Sequence, residues 1–148
     1  MRYCHFNRDW LGFYVWETEQ YCEYVKRNWP RWSRSQKLLL DPARFAWDSE
    51  LSLRDATCET VQIVQRLPGL DIELVLRGAN GDRTFRLIYR DVVRVRLAAG
   101  ILKGKVIYNH ELQFVRGGYF CHFLDSIDGA GFRIFARDVE FEEISDLN

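Results

Sequence analysis

Phe-Arg-Leu-Ile-Tyr-Arg-Asp-Val, residues 85–92, returns as Phe-Arg-Ile-Phe-Ala-Arg-Asp-Val at residues 132–139. Five of the eight positions are identical, and Leu87 against Ile134 is conservative. Both segments alternate apolar and polar residues, the period of a strand with one buried face. The same shift of 47 positions lays Gly81–Asp82 over Asp128–Gly129, and Leu74 and Leu76 over Cys121 and Phe123. It also brings the neighbourhood of Thr57 over that of Gly104. Alternation alone makes any two amphipathic strands look similar. It does not supply Arg-Asp-Val at the same point together with aligned turns.

Working outward, the period of two extends over both copies. The predicted strands of the first are 57–66, 70–77, 84–89 and 92–97. Those of the second are 105–115, 119–125, 132–137 and 139–144. Leu67–Pro68–Gly69, Gly78–Asp82, Gly117–Gly118 and Asp128–Gly131 supply the turns. A three-stranded meander has one apolar face and cannot bury it alone, so two such units must share a core. The predicted inward set includes Val61, Ile63, Ile72, Leu74, Leu76, Phe85, Leu87, Tyr89, Leu112, Phe114, Cys121 and Phe123.

The N-terminal part differs in texture. All five tryptophans (Trp10, Trp16, Trp29, Trp32 and Trp47) precede residue 50. Trp10, Tyr14, Tyr21, Tyr24 and Val25 recur near the helical period, and Asp9 can cap the first turn. Lys26 and Arg27 suit a last turn, and Pro30 disfavours helix at Trp29. The spacing therefore predicts a helix over 9–27. Residues 31–50 are less patterned, with a short strand or turn expected at Lys37–Leu40. The expected fold is α+β. An N-terminal aromatic helix packs on a mainly antiparallel β structure of about six to eight strands, built as two similar three-stranded meanders in a sandwich or open barrel. No flexible linker interrupts the chain, so residues 1–148 read as a single domain: 1–50 helical, 57–97 the first β repeat, 104–144 the second.

Composition limits the function classes. At 47% hydrophobic and 28% charged, the chain can fill a core and is not a disordered composition. Formal net charge is zero, which favours neither nucleic acid nor an acidic partner. No apolar run reaches the roughly 18–20 residues that span a bilayer, and the start does not read as a signal peptide. A cytoplasmic location without membrane partners is the expectation. Cys4, Cys22, Cys58 and Cys121 are scattered without a CxxC pair, and read as reduced, mostly buried thiols rather than a disulfide framework.

No catalytic motif is present: neither a Gly-x-Ser-x-Gly elbow nor a P-loop occurs. A metal site would have to combine His110, Cys121 and His122, with Glu111 or Cys4–His5 as the further ligand. With Gly117–Gly118 as a two-residue turn, Leu112 faces Phe123 and Phe114 faces Cys121. His110 and Cys121 then share the apolar face while His122 lies on the other, so tetrahedral ligands do not converge. Glu140, Glu142 and Glu143 read as a solvated acidic edge. No catalytic residue, metal ligand or cofactor is assigned.

The strongest binding signals are basic and aromatic. Lys26–Lys37 carries five basic residues, two tryptophans and no acid, and a second arginine cluster runs from Arg77 to Arg96. Such interleaving can stack on bases and bind phosphates, but tryptophan and arginine also anchor protein interfaces. Trp29, Arg31, Trp32, Arg34, Arg86 and Arg90 are the predicted partner-binding residues. The C-terminal pattern is a turn glycine pair, a strand, Asp-Gly, then Phe-Arg-Ile-Phe-Ala-Arg-Asp-Val-Glu-Phe. Over residues 100–144 it resembles small bacterial β-rich proteins classed as domains of unknown function. The opening Met-Arg-Tyr…Arg-Asp-Trp is similar to the start of some members. Some similar small proteins are suspected toxin-immunity proteins, and the resemblance carries over no catalytic residues. The function expected is therefore a non-enzymatic protein-binding module, immunity-like in what the resemblance implies. The alternatives are a nucleic-acid-binding protein using residues 26–37, and an enzyme of unknown class. The expected partner is a protein of unknown identity, or a second copy joined through a strand edge; nucleic acid is not expected.

Overall fold

A computed structural model of the 148-residue chain describes residues 4–5, 15–16, 18–44, 51–66, 69–97, 102–129 and 131–145. The chain divides into two compact units, Met1–Trp32 and Ser33–Asn148.

In the first unit, β1 (Cys4–His5) pairs antiparallel with β2 (Val15–Trp16), and α1 follows at Thr18–Asn28. The helix ends as predicted, with Lys26 and Arg27 in its last turn. Its start is nine residues later than expected, because Val15 and Trp16, a β-branched and an aromatic residue, take strand geometry instead. Asp9, Trp10 and Tyr14 lie outside the described residues. Trp29–Arg31 turns once more as a 3-10 helix with Pro30 inside its first turn, where a missing N–H costs nothing.

The second unit opens with α2, Arg34–Leu39, where a strand or turn was expected. Ser33 and Gln36 form a reciprocal capping box. The Ser33 hydroxyl accepts the Gln36 N–H at 3.3 Å, and the Gln36 side chain accepts the Ser33 N–H at 2.9 Å. Ser-Arg-Ser-Gln is thus a start signal, and Leu39 and Leu40 bury the far side. A 3-10 turn at Pro42–Arg44 follows.

Eight strands then alternate as the repeat predicts: β3 (Thr57–Arg66), β4 (Gly69–Arg77), β5 (Arg83–Arg90), β6 (Arg94–Leu97), β7 (Ile107–Val115), β8 (Tyr119–Ser126), β9 (Gly131–Ala136) and β10 (Asp138–Ser145). They form two four-stranded antiparallel sheets, ordered β10-β5-β4-β3 and β6-β9-β8-β7. Each meander keeps its own three strands and gives its fourth to the other sheet. β6 leaves the first copy to pair with β9, and β10 leaves the second to pair with β5. Backbone bonds near Cys58–Lys105 and Asp55–Ile107 tie β3 to β7 at one margin. No closed barrel forms among the described residues. Inward rows such as Ile72, Leu74, Leu76, Phe85, Leu87, Leu112, Leu124 and Ile134 make the core.

The register departs from expectation by one residue in β8. The pairs are Leu112 with His122 and Gln113 with Cys121, and Val115 pairs with Tyr119 across a three-residue loop. Gly117 and Gly118 both hold positive φ, 86° and 78°, so the loop takes in Arg116 as well. The repeat is offset in the same strand. Six residues separate the paired Arg77 and Thr84, but five separate Asp125 and Gly131. The structural counterparts of Leu74 and Leu76 are therefore His122 and Leu124, not Cys121 and Phe123. A one-residue slip moves every side chain of a strand to its other face. Ile63 also departs from the predicted core: it is 68% exposed at the far end of β3.

Candidate functional site

The slip in β8 changes the chemistry of the interior. His122 turns inward and meets His110 of β7, Nε2 to Nδ1 at 3.3 Å, while its Nδ1 lies 2.6 Å from the Tyr89 hydroxyl on the opposite sheet. The three rings form one chain across the core. Burial pushes the His110 imidazole down to about 3 and holds His122 well below the ordinary range, so both rings are neutral. A neutral ring has one N–H and one bare nitrogen. With the Tyr89 hydroxyl donating to His122 Nδ1, His122 Nε2–H donates to His110 Nδ1. Cys121, which the two-residue turn placed beside His110, faces the other side, and burial pushes its thiol up to about 12. Cys58 is likewise buried and pushed up to about 11, so neither thiol is a ready nucleophile. Among the described residues no group of three or more His, Cys, Asp and Glu is arranged to hold a metal ion. The Tyr-His-His chain is nearly inaccessible, which makes it a structural device rather than a place where substrate could bind.

The accessible site lies on the outer face of the first sheet. Strand alternation puts Val64 and Arg66 of β3, Asp71 and Glu73 of β4, Arg86, Ile88 and Arg90 of β5, and Glu140 of β10 on this one face. Together they line a recess of about 210 Å³. Arg90 is the hub. Its Nε and Nη2 engage the two Glu140 oxygens at 2.7 and 3.0 Å, the fork geometry of a bidentate pair, and its Nη1 reaches Asp71 at 2.6 Å. Asp71 is largely buried and also accepts the Asp91 N–H at 3.3 Å and faces Arg66 Nε at 3.4 Å. Arg86 binds Glu73 at 2.7 Å and Glu142 at 3.5 Å. These hydrogen bonds raise both arginines above their ordinary value and hold the Glu140 carboxyl below its own.

The predicted site residues divide. Arg86 and Arg90 come together in the recess. Arg34 is exposed in the first turn of α2. In the first unit Trp29 is 43% exposed and Arg31 is exposed, bonding Asn28 at 3.0 Å. Trp32, expected at a surface, is only 3% exposed, and its ring meets Tyr24 edge-on at 6.3 Å. The acidic edge divides as well. Glu140 and Glu142 face outward to arginines. Glu143 faces inward, between Arg83 and Arg44, with Arg44 Nη2 at 2.6 Å. Burial alone would raise the Glu143 carboxyl, but hydrogen bonds from Arg44 and Arg83 hold it below the ordinary range.

Asp71, Glu73 and Glu140 are the site residues that the search for basic and aromatic clusters missed. Their signal was the period of two. Asp71-x-Glu73 and Glu140-x-Glu142 flank the Arg86…Arg90 strand, so each arginine meets carboxylates on both sides. Comparisons with family models, curated proteins and solved structures found no match for this chain.

Proposed function

We propose that the chain is a protein-binding module and that the outer face of its first sheet receives the partner. One observation carries this reading. The recess sets two apolar side chains, Val64 and Ile88, among three arginines and three carboxylates held in fixed geometry. An apolar centre ringed by oriented charge is how protein interfaces combine burial with selectivity. Interspersed charge of both signs favours a protein partner over a polyanion, because a phosphate backbone approaching Arg86 and Arg90 would also meet Asp71, Glu73, Glu140 and Glu142. The two inhibitory features for an enzyme are that the recess acids are engaged by arginines and that the buried histidines are out of reach. An immunity-like role, with a toxin as partner, is the specific form suggested by the resemblance over residues 100–144.

The test is affinity capture and native mass spectrometry with the wild-type chain and with Arg90→Glu. A partner retained by the wild type and lost, by at least tenfold in affinity, by the reversed charge is expected. A partner that binds both equally, or a salt-sensitive gel shift with DNA or RNA instead, would remove the reading.

A further inference from the structure

We propose that the far half of β3 is a self-recognition edge, on which a second copy of this chain adds its own β3 antiparallel to make a continuous eight-stranded sheet. The inference uses the strand's backbone edge and Ile63 together with Val64 and Arg66, which also line the recess, but it does not require a partner bound there.

β3 is the outermost strand of its sheet and, at ten residues, the longest among the described residues. Its first two residues are tied to the segment before β7 through Cys58, Gly104 and Lys105. Beyond that point no described backbone group bonds to its outer side. Residues 62–66 are all exposed, including Ile63 at 68% and Val64 at 37%. An edge strand presents unmatched N–H and C=O groups, and proteins that must stay single guard such edges with charge, proline or a twist. The stretch Thr60-Val-Gln-Ile-Val-Gln65 has no charged residue and no proline, and the one bulge of β3 lies before it, between Cys58 and Thr60.

The opposite edge of the same sheet is guarded. β10 carries Asp138, Glu140, Glu142 and Glu143, so two copies meeting there would set like charges side by side. The contrast selects β3, and the sequence of β3 selects its own copy. A continuous sheet with a two-fold axis perpendicular to it requires one residue to face itself. With Ile63 at the axis, Gln62 faces Val64 and Val61 faces Gln65 of the second copy. Each side of the new sheet then pairs an apolar with an amide side chain, and Ile63 with Ile63. Arg66 falls opposite Thr60 and beside Glu59 of the other copy, an attractive placement. A parallel arrangement would set Arg66 against Arg66. One pair of strands buries less than the roughly 1,200 Å² at the low end of stable interfaces. The dimer is therefore weak, with dissociation in the micromolar range.

Sedimentation velocity of the full chain over a concentration series reads the association. Rising concentration should convert monomer to dimer, and Ile63→Lys, at an exposed position that folding does not require, should weaken the dimer at least tenfold with an unchanged circular dichroism spectrum. The register is read separately by oxidative cross-linking in a Cys22→Ser background, which removes an exposed thiol. Ile63→Cys should form a covalent dimer, and Gln65→Cys, displaced from its own copy across the axis, should form at least tenfold less. A chain that stays monomeric throughout overturns the proposal. So does a dimer indifferent to Ile63→Lys, or an edge that binds only a foreign protein.

Discussion

Leu74 of the first sheet and His122 of the second stand at equivalent inward places, each on the middle strand of its meander. Around Leu74 the row is apolar: Ile72, Leu76, Phe85 and Leu87 are all buried. Around His122 the row includes a second imidazole, and the hydroxyl of Tyr89 comes across from the facing sheet to join it. The outer rows differ too. The first sheet carries arginine–carboxylate pairs. The second lays arginines on rings: Arg133 lies 5.2 Å from the Phe123 centroid and Arg137 4.8 Å from that of Tyr119. The same backbone plan thus tolerates a leucine or a histidine in one slot. The condition is that the polar side chain finds partners, because an unsatisfied buried group costs more than the hydrogen bond gains.

Acid should separate the two sheets most strongly. The folded-state values of His110 and His122 lie below the ordinary 6.5, so the unfolded chain takes up protons first as pH falls. Stability is full above about pH 6.5 and drops below it as the unfolded chain protonates both histidines, a loss that for His110 continues down to about pH 3. Glu140 and Glu143, whose values are lowered, lose their stabilising contribution only below the ordinary carboxylate range, and Asp125, raised by burial, gains stability as pH falls, so a decline between pH 6.5 and 5 belongs to the histidines. Urea midpoints at several pH values check this. A flat profile across that interval would show that the rings are not buried neutral.

Making the second sheet resemble the first should have the next largest effect. His122→Leu strands the Tyr89 hydroxyl and the His110 ring and should cost about 2 kcal/mol. Adding Tyr89→Phe should recover about half of that, since the orphaned hydroxyl goes as well. Independent, additive costs in the double mutant would deny the coupling. The outer rows should matter least. Arg90→Ala leaves the buried Asp71 with a weaker partner and should cost about 1–2 kcal/mol. Arg133→Ala, losing a partly exposed cation–ring contact, should cost about 0.5 kcal/mol. Chemical denaturation reads both, and the reverse order would overturn the distinction between the two faces.

Strand positions were legible because alternation and glycine-rich turns are local signals. β3 has its predicted bounds, and β4 to β10 begin and end within two residues of theirs. Register was not legible to the same degree. It depended on whether Arg116 belonged to the strand or to the loop, and that single residue decided whether His122 or Cys121 faces Tyr89 of the other sheet. The charged recess was half legible. Arg86 and Arg90 stood out as a cluster, but Glu140 and Glu142 lie on a strand that becomes their neighbour only when β10 crosses to β5. Trp32 read as a surface anchor because composition does not say which of two nearby tryptophans is covered. The helix α2 was missed although its Ser33–Gln36 capping box was present in the sequence.

The exchange of fourth strands also has a consequence for how the chain is made. β5 emerges from the ribosome with β4 on one side and nothing on the other, and its second neighbour is not translated until residue 145 has been joined. The first sheet therefore waits, one strand short, while the whole second meander is synthesised. During that interval its second edge is β5 rather than the acid-guarded β10. Pairings so distant along the chain close slowly. A nascent chain of this kind gains most from a chaperone that shields strand edges until β10 arrives.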